Sequence, residues 1–103
     1  MKAVYIAHPI SGDIKKNCER VKAIVSEIIK TMPDVIPVVP YLTSLEILDD
    51  NDSKQREKGM EINHYYIKNV IDEVWCFGPY ISSGMQIEIE WAARYNKKVV
   101  YSP

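Results

Sequence analysis

The sequence has few cysteines and no basic block, and each shortage excludes a class of protein. Cys18 and Cys76 lie far apart without a C-x-x-C pattern, which argues against a disulfide framework or a zinc knuckle. We expect two small core residues in a reducing, cytoplasmic compartment. Lysine and arginine number 13 against 14 acidic residues, so the chain lacks the basic patch that binding a nucleic-acid polymer requires.

Long apolar runs are also missing. No stretch approaches the roughly 20 residues of a membrane-spanning helix, so we expect no membrane partner. The short apolar run near the N-terminus is predicted to be a strand rather than the core of a signal peptide. The 103 residues are 47% hydrophobic, which predicts one domain over residues 1–103 whose modest core favours an interface with a second copy.

Helical and extended segments are predicted to alternate. The apolar patterns predict strands at 2–7, 34–40, 73–78 and 98–101, and helices at 14–32, 53–71 and 83–96. Pro37 favours an edge strand because proline cannot donate to a ladder, and residues 41–52 are predicted to be a loop. The order predicts an α/β three-layer sandwich, flavodoxin-like or Rossmann-like, with a small parallel sheet of about four strands and three helices.

Two turns are predicted to meet at the carboxyl ends of the strands, where such sheets bind ligands. They are HPISGD at 8–13 and PYISSG at 79–84. HPISGD has neither the P-loop nor the G-x-G-x-x-G spacing. Ser83 is predicted to cap the third helix, whose free amides could face an anion, and Gly84 would allow close approach. Ser53 is predicted to cap the second helix.

One carboxylate breaks the pattern of the third predicted helix. At 100° per residue, Gln86, Glu90 and Arg94 share a polar face, whereas Glu88 falls within the apolar arc. A carboxylate there is costly to bury unless it is paired or faces a cavity. Glu88 therefore either reaches water or a backbone group from the edge of the arc, or acts in a small-molecule site as a nucleophile or base.

Other polar residues allow two interpretations each. Asn63 and His64 lie among apolar residues of the second helix and are either satisfied core groups or ligand contacts. The acidic loop 49–52 lacks the glycine and distal glutamate of an EF-hand loop and is predicted to be solvated. Tyr5, Tyr65 and Tyr66 are core or interface residues, or could stack on a base. We predict no metal and no cofactor.

Several segments together resemble the nucleoside 2-deoxyribosyltransferase superfamily, which includes the deoxynucleoside 5′-monophosphate N-hydrolases and short phage-type relatives. They are VYIAHPISG, IDEVWCFG, and ISSGMQIEIEWA followed by KKVV. The resemblance covers nearly the whole chain and is weakest between residues 41 and 62. It implies cleavage or transfer at the N-glycosidic bond of a nucleoside or nucleotide, by a homo-oligomer whose subunits share the site.

The resemblance also implies roles for particular residues. Glu88 would be the catalytic nucleophile that attacks the anomeric carbon. The family's aspartate one helix earlier falls on Asn63 or His64, depending on a one-residue shift, so His64 is a candidate catalytic proton donor and Asn63 a candidate substrate contact. The remaining implied substrate contacts are Tyr5, His8, Pro9, Ile10, Ser11, Gly12, Ser82, Ser83 and Gly84. The alternative is a non-catalytic binding protein for a nucleotide or a nucleotide-derived small molecule.

Overall fold

The computed structural model describes all 103 residues and contains four strands and four helices. In chain order the elements are β1 (Lys2–Ala7), α1 (Ile14–Thr31), β2 (Val35–Val38), α2 (Pro40–Ile47), α3 (Ser53–Asn69), β3 (Glu73–Cys76), α4 (Ser83–Arg94) and β4 (Lys98–Tyr101). Every predicted strand and helix is present, with termini within two residues of the predicted ones.

The four strands form one parallel sheet in the order β2-β1-β3-β4. Tyr5 of β1 lies opposite Val38 of β2 on one side and Val74 of β3 on the other. Strand β2, which contains Pro37, lies at an edge, as predicted. The chain reverses its direction across the sheet between β1 and β3, and this topological switch point is where flavodoxin-like sheets bind ligands.

Successive side chains of β1 point to opposite faces of the sheet and so pack into two different apolar clusters. Val4 and Ile6 belong to one cluster together with Ile28 of α1. Tyr5 and Ala7 belong to the other, with residues of α3 and α4. These four of the six β1 side chains are fully buried, which confirms the predicted arrangement of a parallel sheet between helical layers.

The number of helices was predicted wrongly, because residues 41–52 were expected to form a loop. The eight-residue helix α2 begins at Pro40. Proline suits the first helical position, because its missing N–H would have no partner there and its φ is already helical. Apolar and polar residues are mixed in so short a helix, which left no clear periodic signal in the sequence.

Both predicted helix caps lie one residue too far along the chain. Asp52 caps α3 and accepts hydrogen bonds from the amides of Lys54 and Gln55. Ser82 caps α4 and accepts from the amide of Met85 at 3.2 Å. Ser53 and Ser83 are instead the first residues of their helices, so their own amides belong to the first turn.

Two further sequence expectations concern single features. Cys76 is buried, as expected for a core residue, whereas Cys18 is half-buried, and both thiols are free. No helix of the structure combines the length and the apolar character that crossing a membrane would require.

Candidate functional site

A cleft opens at the carboxyl ends of the two central strands, at the switch point of the sheet. The turn after β1 and the turn before α4 line one part of it, and α2 and α3 supply the opposite wall. The predicted meeting of the two turns is therefore confirmed. The predicted contacts that line the cleft are His8, Ile10, Ser11, Asn63, Ser82, Ser83, Gly84 and Glu88.

Four predicted site residues do not line the cleft. Tyr5 and Pro9 are buried beside it, and Gly12 lies exposed in its turn with φ +101°. His64 projects elsewhere: its Nε2 lies 2.6 Å from the hydroxyl of Tyr95, and its ring stacks on Trp91 with centroids 4.5 Å apart. In α3 it is therefore Asn63, and not His64, that faces the cleft.

Glu88 lies at the floor of the cleft, on the first turns of α4. Its side chain is only 7% exposed, as its place in the apolar arc predicted. The hydroxyl of Tyr5, itself fully buried, donates a hydrogen bond to Glu88 Oε2. The other oxygen, Oε1, makes no hydrogen bond within the chain and is left to the cleft.

The surroundings of Glu88 favour its neutral form. Burial raises the pKa of Glu88 from 4.5 to about 7, and the hydrogen bond from Tyr5 opposes that rise in part. Burial, and then the nearby Glu88 carboxylate, raise the pKa of Tyr5 well above its ordinary range, so the shared proton stays on the phenol. The same two causes raise the pKa of Cys76 to about 11, which keeps this thiol protonated.

Asn63 lines the cleft and carries an unsatisfied polar atom. Its side chain is 6% exposed, and its Oδ1 is buried without a hydrogen-bond partner. An unpartnered buried acceptor costs roughly 1–3 kcal/mol, so most such groups in proteins are satisfied. An N–H or O–H group placed beside this oxygen would supply the missing donor.

The turn before α4 gives the cleft a group that suits an anion. Ser83 and Gly84 occupy the first turn of α4, where backbone amides have no intrahelical partner and the helix dipole is positive. Arg56 of α3 also lines the cleft and is its only lysine or arginine. A phosphate or carboxylate bound at the first turn of α4 would meet backbone amides and a serine hydroxyl, in a cleft whose one basic side chain is Arg56.

Much of the opposite wall was missed at the sequence level. Helix α2 supplies Tyr41, Ser44 and Leu45, and the segment after it supplies Leu48 and Asp50. Asp50 was expected to lie in a solvated loop, yet it is half-buried at the cleft. The one available signal was Pro40, a residue typical of the first helical position.

The tyrosines that line the cleft are not those the sequence suggested. Tyr41 is buried and its hydroxyl donates to the carbonyl of Ile6, while Tyr80 is 56% exposed at the turn before α4. Tyr65 and Tyr66 lie outside the cleft. Tyr80 is therefore the aromatic residue of the cleft that is free to contact a ligand.

The family profile described as Domain of unknown function (DUF7768) matches residues 2–102. The chain belongs to this family. No curated protein matches the sequence at a significant level. Membership therefore assigns a domain type and leaves the chemistry to be argued from the cleft.

Among solved structures, a 2-desoxiribosyltransferase from Leishmania mexicana resembles the chain with a TM-score of 0.61 and 17% sequence identity. The match covers 98% of this chain and 63% of that one, so the chain spans less than two thirds of the length of this neighbour. Likeness at that identity establishes a shared fold, and it agrees with the α/β class predicted from the sequence.

Proposed function

We propose that the chain cleaves, or transfers across, the N-glycosidic bond of a nucleoside or nucleotide, with Glu88 as the nucleophile. The observation that carries the proposal is a buried carboxylate with Oε2 held by Tyr5 and Oε1 open to the cleft. The fold shared with a deoxyribosyltransferase and the resemblance of the two turns support it. We further propose that the family is a divergent part of the nucleoside 2-deoxyribosyltransferase superfamily.

The proposed reaction has two steps. Glu88 Oε1 attacks the anomeric carbon of the sugar as the base leaves, and water or a second base then takes the sugar from the glutamyl ester. Such covalent catalysis replaces one difficult substitution by two easier ones. A carboxylate suits an oxocarbenium-like transition state, as in retaining glycosidases, and the hydrogen bond from Tyr5 holds the attacking group in one orientation.

The rest of the cleft supports a nucleotide as the ligand. A 5′-phosphate fits the first turn of α4 and Arg56, and a sugar hydroxyl or a base amino group fits the unpaired Oδ1 of Asn63. Tyr80 offers an aromatic face at the mouth. Each contact answers an unsatisfied group of the cleft, which is the physical reason for preferring a nucleotide to an apolar molecule.

The test is release of free base from a panel of deoxynucleosides and deoxynucleoside monophosphates, followed by chromatography. We expect release by the wild type, loss of at least about 10³-fold in Glu88→Gln, as for removal of other nucleophiles, and no loss in Glu90→Gln. Glu90 is an exposed carboxylate on the same helix and so controls for charge. Failure of the wild type to release base from any member at high enzyme load would refute catalysis. Exchange with an isotope-labelled free base distinguishes transfer from hydrolysis.

A second candidate is a protein that binds a nucleotide, or a molecule derived from one, without turnover. The observation in its favour is Asn63, an amide at the position where the resemblance leads one to expect a carboxylic acid. Thermal melting with the same panel tests it, because a ligand bound at 100 times its Kd stabilises the fold by about 2.7 kcal/mol. Stabilisation with chromatographically unchanged ligand supports binding alone, and stabilisation by none of the panel refutes it.

Assembly of several copies stays a prediction. Light scattering coupled to size-exclusion chromatography checks it, and a mass of 11.9 kDa at micromolar concentration would contradict it.

A further inference from the structure

Departure of a nucleobase requires a proton, and neither Asn63 nor His64, the two residues considered for this role, can supply it in the cleft. An unprotonated base leaves as an anion, and general acids that prevent this contribute about 10²–10⁴-fold in rate. Asn63 carries an amide that does not ionise. His64 lies outside the cleft, engaged with Tyr95 and Trp91.

Few other groups of the cleft can exchange a proton near neutral pH. Arg56 stays charged, and the hydroxyl of Tyr41 is held by the Ile6 carbonyl. Glu88 is the nucleophile of the proposed reaction. The remaining candidates are Asp50, on the segment after α2, Tyr80, in the turn before α4, and His8, directly after β1.

His8 has the geometry of a positioned acid. It is the only histidine that lines the cleft and is 6% exposed. Its Nδ1 lies 2.6 Å from the carbonyl oxygen of Pro9. Because a carbonyl only accepts hydrogen bonds, Nδ1 is the protonated nitrogen of the neutral ring, and Nε2 is the atom that takes up and releases a proton. Nε2 makes no hydrogen bond within the chain.

Gly78 leaves space beside His8 Nε2 because it has no side chain. Gly78, at the end of β3, has φ +98°, and a Cβ there would lie 3.5 Å from His8 Nε2 and 2.7 Å from Pro9 Cδ. The turn after β3 therefore leaves room for the imidazole edge and fixes the His8–Pro9 segment against it. The ring is held by one nitrogen and left free at the other.

We propose that His8, through Nε2, donates the proton to the leaving base and then takes a proton from the attacking water. This assignment rests on the proposed function. The cycle starts with Glu88 as the carboxylate and His8 as the imidazolium, which carries a proton on each ring nitrogen. In the first step Glu88 Oε1 bonds to the anomeric carbon and the bond from that carbon to the base breaks. The departing base keeps the electron pair and accepts the Nε2 proton, which leaves His8 neutral with its proton on Nδ1. In the second step water bonds to the anomeric carbon, its proton passes to Nε2, and Glu88 leaves as the carboxylate. The two steps return His8 and Glu88 to their starting states, so no co-reactant beyond water is needed.

The test compares two leaving groups. The probes are 2′-deoxyguanosine 5′-monophosphate and its 7-methyl derivative, whose base leaves as a neutral molecule and needs no acid. We expect His8→Asn to lower kcat/KM for the unmethylated nucleotide by about 10²–10⁴-fold and for the methylated one by no more than a few-fold. The asparagine side chain keeps a hydrogen-bond donor near the position of Nδ1. His8→Gln serves as a second variant, because its amide lies near the position of Nε2 instead. Melting curves verify that both are folded.

The outcomes separate His8 from its competitors and from the proposed function. Equal losses on both probes would mean a structural role and overturn the proposal. Selective loss in Asp50→Asn, Tyr80→Phe or His64→Gln instead of His8→Asn would also overturn it. A wild type that cleaves only the methylated probe would overturn the assignment of His8 while leaving Glu88 as nucleophile. A wild type that releases base from neither probe nor any member of the panel would refute the proposed function itself.

Discussion

Neutralising Glu88 should change how the stability of the protein depends on pH. Burial raises the pKa of Glu88 from 4.5 to about 7 in the folded state. At 1.36 kcal/mol for each pKa unit, this difference corresponds to roughly 3 kcal/mol. That is a large share of the roughly 5–15 kcal/mol by which a domain is stable, so the effect should be measurable in Glu88→Gln.

The direction of this pH dependence is set by whether the folded or the unfolded chain binds the Glu88 proton more tightly. As pH rises from 4.5 to 7, the unfolded chain loses the Glu88 proton first, and the folded chain binds more protons than the unfolded one. Stability then falls with rising pH. The contribution of the protonated Glu88 is complete below about pH 4.5 and is lost above the folded pKa of about 7. Glutamine does not titrate, so the variant escapes this loss.

The assay is urea unfolding of wild type and Glu88→Gln at pH values from 5 to 8.5. Subtracting the two free energies of unfolding removes every other titrating group, because both proteins share them. The difference should shift in favour of the variant by roughly 3 kcal/mol across the range, which is on the order of 10 °C in melting temperature for a domain of this size. Glu90→Gln should give a nearly flat difference, since exposed substitutions usually stay within about 0.5 kcal/mol. Parallel curves for wild type and Glu88→Gln would refute the reasoning.

Four further substitutions test separate parts of the cleft. Tyr5→Phe removes a hydrogen bond that lowers the pKa of Glu88, so base release at pH 7 should fall by about 10–100-fold, measured as kcat/KM. Asn63→Leu removes an unpaired buried oxygen and should leave the melting temperature of the free protein unchanged or higher, while abolishing the shift caused by a deoxynucleotide. Arg56→Gln should weaken binding of a 5′-monophosphate by about tenfold and of the parent nucleoside hardly at all, measured by calorimetry. Gly78→Ala should cost about 1–3 kcal/mol in urea unfolding because φ is +98° and Pro9 is too close, whereas Gly84→Ala should fold normally.

The helical periodicity of the sequence predicted that Glu88 is buried, because the face of a helix on which a residue lies depends on that helix alone. Its angular position in α4 depends only on residues within a few turns, and the structure leaves it 7% exposed. The parallel sheet followed in the same way from the alternation of short apolar strands with helices. Local patterns therefore sufficed for the burial of Glu88 and for the alternation of strands and helices along the chain.

The opposite wall could not be obtained from such patterns. Helix α2 has eight residues, too few for a period to emerge. The choice between Asn63 and His64 turns on a rotation of about 100° along α3, which depends on how that helix packs against α4. The hydrogen bond from Tyr5 to Glu88 joins residues 83 positions apart, so only the packing of α4 against the sheet brings them together.

The free protein carries two unrelieved costs that a ligand would remove together. One is the Glu88 carboxylate, whose ionisation the surrounding burial opposes, and the other is the unpaired Oδ1 of Asn63. A core serving stability alone would hold an apolar residue at either position, because the fold gives the Asn63 oxygen no partner and offsets the burial of Glu88 only in part, through the hydroxyl of Tyr5. The two residues lie on different helices and line the same cleft. A domain of 103 residues is only marginally stable, so two destabilising groups are a substantial cost. Their convergence at the switch point of the sheet therefore favours a bound, polar ligand over a structural explanation of either residue.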